Sequence, residues 1–206
     1  MQARDSGAIS SVILIENLDR RFLMQGLGKR LKVGLLRVHH QRGVDIVDES
    51  GLMVDQIAAE LMTPSDWGSV YERWVGQELE KDGWEVDYRG LSLGFCDRGI
   101  DLVASLGPRT RYLQCKFQAQ PINKQQIEQI LYKASSFLSK QLLAQHDVFE
   151  LVVPSIDTAF PPERRKNKPP QQNRKKIRFL SHNKTQNRIQ LSITEIAMDL
   201  GLAQLP

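Results

Sequence analysis

The order of apolar and polar positions predicts a compact α/β core in the middle of the chain. Apolar residues recur at helical spacing from about Asp66 to Asp82, and Gly83 follows as a residue that ends helices. A second helix is predicted after Pro121, where the apolar stripe continues as far as Leu142. Four further runs predict strands: WEVDYRG, GIDLVAS, RYLQCKFQ and DVFELVVPS. The expected order is α-β-β-β-α-β, which indicates an α/β fold with a mixed central sheet flanked by helices.

The start of the first helix is marked in the sequence. Thr63 or Ser65 can cap it, and Pro64 suits its first turn. The preceding stretch DESGLMVDQIAAELM, residues 48–62, predicts a short helix of its own. We therefore expect the compact core to begin near residue 62.

This pattern divides the chain into four parts. Residues 62–160 form the expected core. Residues 1–61 are interpreted as an accessory segment or as the result of a start codon placed too early. The remainder is predicted to form a basic loop at 161–176 and a β-hairpin at 177–206 that completes or extends the core.

Charge is unevenly distributed along the 206 residues, which carry a net charge of +4. The segment 161–176 has a local charge of +6, and the remaining 21 basic and 23 acidic residues leave −2 elsewhere. The segment is interpreted either as a solvated loop or as a flexible arm that binds nucleic-acid phosphates. Its seven basic residues are Arg164, Arg165, Lys166, Lys168, Arg174, Lys175 and Lys176.

Composition excludes several classes of protein. Cys96 and Cys115 are the only cysteines, too few for a disulfide framework or a zinc site. No apolar run approaches the roughly 20 residues that span a bilayer, and the stretch AISSVILI lacks the basic flank of a secretion signal. No phosphate-binding loop of a nucleotide motor is present. We therefore expect a cytoplasmic protein in a reducing compartment, with no membrane partner.

Polar residues on two neighbouring strands form the clearest candidate site. Because side chains alternate along a strand, Gln114 and Lys116 share one face and Cys115 lies on the other. If the hairpin closes symmetrically about Pro108 and Arg109, Asp101 lies opposite Lys116, with Gln114 in diagonal reach. An acid, an amide and an ammonium group then converge. In isolation, the same residues also fit a buried Asp–Lys pair without catalytic function.

The stretches YERWVGQELEKDGWEV, DRGIDLVAS and YLQCKF resemble the Mrr-like restriction endonuclease branch of the PD-(D/E)xK nucleases. The resemblance covers about residues 66–118 and implies a nuclease core of the αβββαβ type. It implies that Asp101, Gln114 and Lys116 form the active site and that Glu72 is the acid contributed by the helix. Asp97 matches the first acid of the motif and is a weaker candidate, or fixes the turn before the strand.

The chemistry of phosphodiester hydrolysis agrees with this set of residues. Mg²⁺, for which Mn²⁺ can substitute, requires oxygen ligands, here from Asp101, Gln114 and the Cys115 backbone. Glu72 could bind the ion directly or through water, and Lys116 would orient the attacking water. Gln114 replaces the commoner acid, so we expect weaker metal affinity, partly offset by Glu72.

Four functions remain open from the sequence. The first is a Mg²⁺-dependent DNA endonuclease of restriction or repair type. The second is a resolvase of four-way DNA junctions, to which the stretch GSVYER also corresponds and for which a homodimer is expected. The third is a module on the nuclease fold that binds nucleic acid without cutting it, and the fourth is an unrelated α/β protein with a structural Asp–Lys pair. A second stretch, QRGVDIVDES, echoes DRGIDLVASL, but no Gln-x-Lys follows it, so we interpret it as coincidence or a decayed copy.

Overall fold

The computed structural model of the chain describes residue 24 and residues 26–39, 42–94, 97–144, 146–161 and 190–198. The helices are α1 (Leu27–Arg30), α2 (Pro64–Lys81), α3 (Arg89–Leu93), α4 (Lys124–Leu138) and α5 (Ile156–Ala159), with a 3-10 turn at Ala59–Leu61. The strands are β1 (Leu35–His39), β2 (Gly43–Val47), β3 (Met53–Ala58), β4 (Glu85–Tyr88), β5 (Leu102–Leu106), β6 (Arg109–Cys115), β7 (Val148–Val153) and β8 (Gln190–Glu195).

Two sheets organise these elements. The smaller sheet has the antiparallel order β1-β2-β3, and the larger has the order β4-β5-β6-β7-β8. In the larger sheet β4, β5 and β6 are antiparallel, whereas β7 and β8 run parallel to β6. The prediction of a mixed central sheet flanked by helices is therefore confirmed. The α2 helix packs on one face with Leu102, Leu113 and Val152, while α4 packs on the other face with Tyr112 and Leu151.

Local signals set the start and end of α2 as predicted. Thr63 is the N-cap: its Oγ1 accepts a hydrogen bond from Asp66 N at 3.2 Å, and Asp66 Oδ2 accepts one from Thr63 N at 2.7 Å. This reciprocal capping box satisfies two backbone donors that a helix start otherwise leaves without a partner. Gly83 follows the helix with φ of 85°, a conformation that glycine adopts without steric cost.

The predicted helix at 48–62 is wrong. Residues 48–52 form a turn, and β3 and the 3-10 turn follow. The Asp48 carboxylate accepts hydrogen bonds from the backbone N–H groups of Ser50 and Leu52, and Gly51 has φ of 84°. This turn directs the chain back onto β2, so the apolar residues that follow are used in an antiparallel strand.

The second predicted helix ends earlier than expected. The α4 helix stops at Leu138, and Leu142 is 99% exposed, so it does not belong to the apolar stripe. Lys140 N and Gln141 N bond to the carbonyl oxygens three residues before them, which tightens the chain into a closing turn.

The β5–β6 hairpin has a different register from the predicted one. Leu106 pairs with Arg109 and Leu102 pairs with Leu113, so the two-residue turn is Gly107-Pro108. Gly107 has φ of 57°, as the first central residue of a tight hairpin turn requires. This correction keeps every side chain on its predicted face but places Asp101 opposite Gln114 instead of Lys116.

One charged residue lies inside the apolar strand β7. The Glu150 carboxylate is buried, and it accepts bonds from Arg111 Nε at 2.8 Å and Arg111 Nη2 at 2.6 Å. Thr194 Oγ1 donates to the same carboxylate at 2.8 Å. These contacts connect β6, β7 and β8 through side chains as well as through the backbone.

The small sheet packs against α2 and shares its core. Leu36, Val44 and Ile57 belong to the same buried cluster as Val75 and Leu113. The described part of residues 1–61 is thus packed against the predicted core, while the domain boundary near residue 62 stays a prediction.

Two polar residues of α2 complete this packing. Gln77 Oε1 accepts from Leu36 N at 2.6 Å and Gln77 Nε2 donates to Leu36 O at 3.2 Å, so the amide acts like a neighbouring strand for β1. Arg73 Nε donates to Leu31 O and its Nη2 to Gly34 O, both at 3.0 Å.

Some predictions fall on residues outside the described part of the chain. These include all seven basic residues of the predicted loop and the first arm of the predicted terminal hairpin. The second arm is β8, which pairs in parallel with β7. Within the described part of the chain, no helix has the length and apolar character needed to cross a membrane.

Replacing Gln77 by Met tests how much the two sheets depend on this amide. The substitution keeps the side-chain length but leaves the N–H and C=O of Leu36 buried without their partner. We expect a loss of about 1–3 kcal/mol in the free energy of unfolding, measured by urea denaturation. Gln125→Met, at an exposed position of α4, is the control, and equal stability of the two variants would contradict the prediction.

Candidate active site

The candidate site lies where β5 and β6 separate. Asp101 directly precedes β5, Gln114 lies near the end of β6, and Lys116 follows β6. Glu72 reaches the same region from α2, as the electrostatic coupling of its carboxylate to Lys116 shows. Three separate elements thus contribute the four residues predicted as catalytic.

Asp101 is held by the strand β6 and by the helix α3. Its Oδ2 accepts a hydrogen bond from Gln114 Nε2 at 2.5 Å and from Cys115 N at 2.6 Å. Its own backbone N donates to Leu113 O, and its carbonyl accepts from Gly90 N, both at 2.8 Å. The carboxylate therefore takes the place of a backbone partner for β6 at the point where β5 begins.

Burial dominates the electrostatics of this carboxylate. Asp101 is only 3% exposed, and burial raises its pKa well above the usual range, with the negative charge of Glu72 adding to the effect. The Cys115 N–H and the Lys116 ammonium act in the opposite direction. The ionised form of Asp101 is thus disfavoured in this site, and either protonation or a nearby positive charge would relieve it.

Glu72 is the second acid whose carboxyl group is buried in the site. Its pKa is raised from 4.5 to about 7, mainly by burial and also by the charge of Asp97, while the charge of Lys116 acts in the opposite direction. A Cβ atom at Gly90 would clash with the Glu72 carboxylate. A glycine in α3, a helix that the sequence pattern did not predict, therefore leaves the space that Glu72 occupies.

Asp97 has a structural contact and an electrostatic one. Its Oδ1 accepts a hydrogen bond from Gly99 N at 2.7 Å, so it fixes the turn before β5, as one of the two sequence interpretations expected. Its charge also acts on Glu72 and on Asp101. A part for Asp97 in catalysis stays a prediction.

Lys116 supplies the positive charge of the site. Its backbone N donates to Val152 O at 2.9 Å, which anchors the residue beside β7. Among the described residues, no carboxylate lies within ion-pair distance of its ammonium group. A direct Asp101–Lys116 pair, which the purely structural hypothesis requires, is therefore not formed.

Cys115 is a packed thiol and not an accessible nucleophile. Its side chain is buried in the core with α2, and burial raises the pKa of the thiol well above its usual value. Its backbone N–H binds Asp101, and metal binding by its backbone oxygen stays a prediction.

The donor atoms fit Mg²⁺ better than zinc, but only in part. Glu72, Asp101 and Gln114 offer oxygen atoms, which suit a hard cation that keeps several waters. Searched over the described residues, the chain brings no three His, Cys, Asp or Glu side chains together at metal-binding spacing. Gln114 presents its amide NH₂ to Asp101, and binding through its oxygen requires the opposite orientation of the amide.

Comparisons of the chain with profiles of protein families, with curated proteins and with solved structures found no match.

Gly90→Ala tests whether the Glu72 carboxylate occupies the observed position. The added methyl group meets that carboxylate, so we expect a loss of about 1–3 kcal/mol in stability. Gly68→Ala in α2 is the matched control, because its Cβ would meet nothing within 4 Å and helix propensity favours it by about 0.5–1 kcal/mol. Adding Glu72→Ala to Gly90→Ala should restore most of the loss. Equal stability of Gly90→Ala and Gly68→Ala would contradict the prediction, because it would mean that the Glu72 carboxylate moves aside without cost or lies elsewhere.

Glu72→Gln tests the burial of this carboxyl group through the pH dependence of stability. The pKa of Glu72 is raised in the folded state, so folding favours the protonated carboxyl group. The stability that this protonated group contributes is fully present below pH 4.5 and is lost as the pH rises through about 7. In EDTA, wild type should therefore lose on the order of 3 kcal/mol relative to Glu72→Gln across this range. Urea denaturation at several pH values measures the difference, and a constant difference would contradict the prediction.

Proposed function

We propose that the chain is a divalent-metal-dependent nuclease of the Mrr-like PD-(D/E)xK type, which hydrolyses phosphodiester bonds in DNA. The observation that carries the proposal is the convergence of Glu72, Asp101, Gln114 and Lys116 from one helix and two adjacent antiparallel strands. The order of helices and strands in the larger sheet supports it. The choice of DNA as substrate comes from the sequence resemblance.

Each residue has a task that its surroundings permit. Asp101 and Glu72 would hold Mg²⁺, with Gln114 contributing once its oxygen is turned inward. The ion, when bound, supplies Lewis-acid activation of the scissile phosphate and lowers the pKa of a bound water. Lys116 is free of a close carboxylate among the described residues, so its ammonium group can donate hydrogen bonds to the attacking water and to the charge that develops on the phosphate.

Two observations favour a second candidate function, a module that binds nucleic acid without cutting it. The Gln114 amide already satisfies Asp101 without a metal, and no three-acid group is found within the described ranges. A metal-binding measurement and a cleavage assay on the same samples separate the two functions.

Cleavage of DNA should require both a divalent metal and the side chains of Asp101 and Lys116. Supercoiled plasmid and a four-way junction are incubated in Mg²⁺, in Mn²⁺ and in EDTA, with Asp101→Asn and Lys116→Met as near-isosteric variants. We expect metal-dependent cutting that falls at least about 100-fold in either variant. Asp101→Asn removes a carboxylate that would hold the metal, and Lys116→Met removes the ammonium group that would act on the developing charge. The substrate that is cut faster distinguishes a restriction-type or repair nuclease from a resolvase.

Glu85→Ala and Lys140→Ala, at exposed positions of β4 and beyond α4, are the charge-matched controls and should cut like wild type. A folded wild type that binds DNA but cuts neither substrate in either metal would support the binding module and contradict the nuclease.

A further inference from the structure

In the turn before β5, Arg98 has a backbone conformation that is unfavourable for residues other than glycine. Ile100 N bonds to Asp97 O at 3.4 Å, and the two residues between them, Arg98 and Gly99, have φ of 60° and 75°. Two successive positive φ values are those of a type I′ turn, in which Asn, Asp and Gly dominate. Within the described ranges, Arg98 is the only residue other than glycine with a positive φ.

The surroundings fix this conformation. A Cβ atom at Gly99 would lie 2.8 Å from Lys133 Cβ of α4 and 3.3 Å from Gln114 Oε1, so the turn passes tightly between α4 and the candidate site. The Asp97 carboxylate binds Gly99 N from the other side. The residue at position 98 therefore has to accept a left-handed backbone, whatever its side chain.

No contact of the Arg98 side chain with the described part of the chain offsets this backbone strain. Arg98 is exposed, and within the part of the chain that the structure describes its side chain forms no ion pair and no cation–π contact. Backbone strain without a compensating contact is concentrated at functional positions in proteins. The strain at Arg98 is thus unexplained by stability.

The position of Arg98 explains its charge. It lies next to Asp97 and three residues before Asp101, at the exposed rim of a site whose buried acids would repel an anionic substrate. A guanidinium group binds phosphate with two parallel hydrogen bonds and stays charged at all physiological pH values. We propose that Arg98 binds a backbone phosphate of the nucleic-acid strand adjacent to the scissile bond; this inference rests on the proposed function of the site.

Arg98→Asn separates this function from a structural one, because stability and binding should move in opposite directions. Asn fits the turn, so the melting temperature should stay equal or rise by about 2–4 °C. Affinity for a fluorescently labelled DNA duplex, measured by anisotropy in EDTA, should fall about tenfold. The slope of log affinity against log salt should become shallower by about one, as for the loss of one phosphate contact.

Two variants serve as controls. Arg98→Lys keeps the charge and should retain most of the affinity and the salt slope. Arg42→Asn changes an exposed arginine in the matching Arg-Gly-x-Asp context at the start of β2, where φ is not positive, and should leave DNA binding unchanged.

The outcomes distinguish this inference from the proposed function. Cleavage that is normal in Arg98→Asn, together with an unchanged salt slope, would overturn the phosphate contact while the nuclease stands. A wild type that shows no salt-dependent DNA binding would also overturn it. Arg98-dependent binding without cleavage by wild type would uphold the contact and contradict the nuclease.

Discussion

The Asp101 carboxylate holds the junction between β5 and β6, and the candidate site depends on it. Just before β5 the backbone still bonds to β6 through Asp101 N and Leu113 O, but the next donor of β6, Cys115 N, bonds to a side chain where a carbonyl partner would otherwise stand. Asp101 supplies that partner from its side chain, and it binds Gln114 at the same time. The same hydrogen bonds therefore account for the separation of β5 from β6 and for the position of the Asp101 carboxylate.

This arrangement confines negative charge where burial disfavours it. Asp101 and Glu72 both have raised pKa values, because the solvent that would stabilise their ionised forms is excluded. The negative charge of Glu72 raises the pKa of Asp101 further, and that of Asp97 acts on both acids. Lys116 reduces the cost only from a distance. The residues of the site do not by themselves offset the cost of ionising both acids. A divalent cation or the protonation of one acid would reduce that cost.

Glycines with little room around them shape the same region. Gly90 leaves space for the Glu72 carboxylate, and Gly99 lets the turn pass beneath α4. Neither position shows in the apolar pattern, because the constraint comes from a side chain or helix distant in sequence. The α2 helix likewise uses its polar residues Arg73 and Gln77 to bind the small sheet, a function that the apolar stripe does not predict.

The elements with local signals were predictable from the order of residues. The cap expected at Thr63 or Ser65, the periodicity of α2 and the alternation of β4, β5 and β6 predicted those elements correctly, since each depends on neighbours within a few residues. The face shared by Gln114 and Lys116 was equally accessible from the two-residue alternation of a strand. The residue opposite Asp101 was not predictable in this way, because the register of the hairpin depends on the turn at Gly107-Pro108. Nor was the strand at residues 53–58 predictable, because it depends on the Asp48 turn and on pairing with β2. Such contacts join residues whose proximity is set by the packing of the whole chain and not by the spacing of side chains along it.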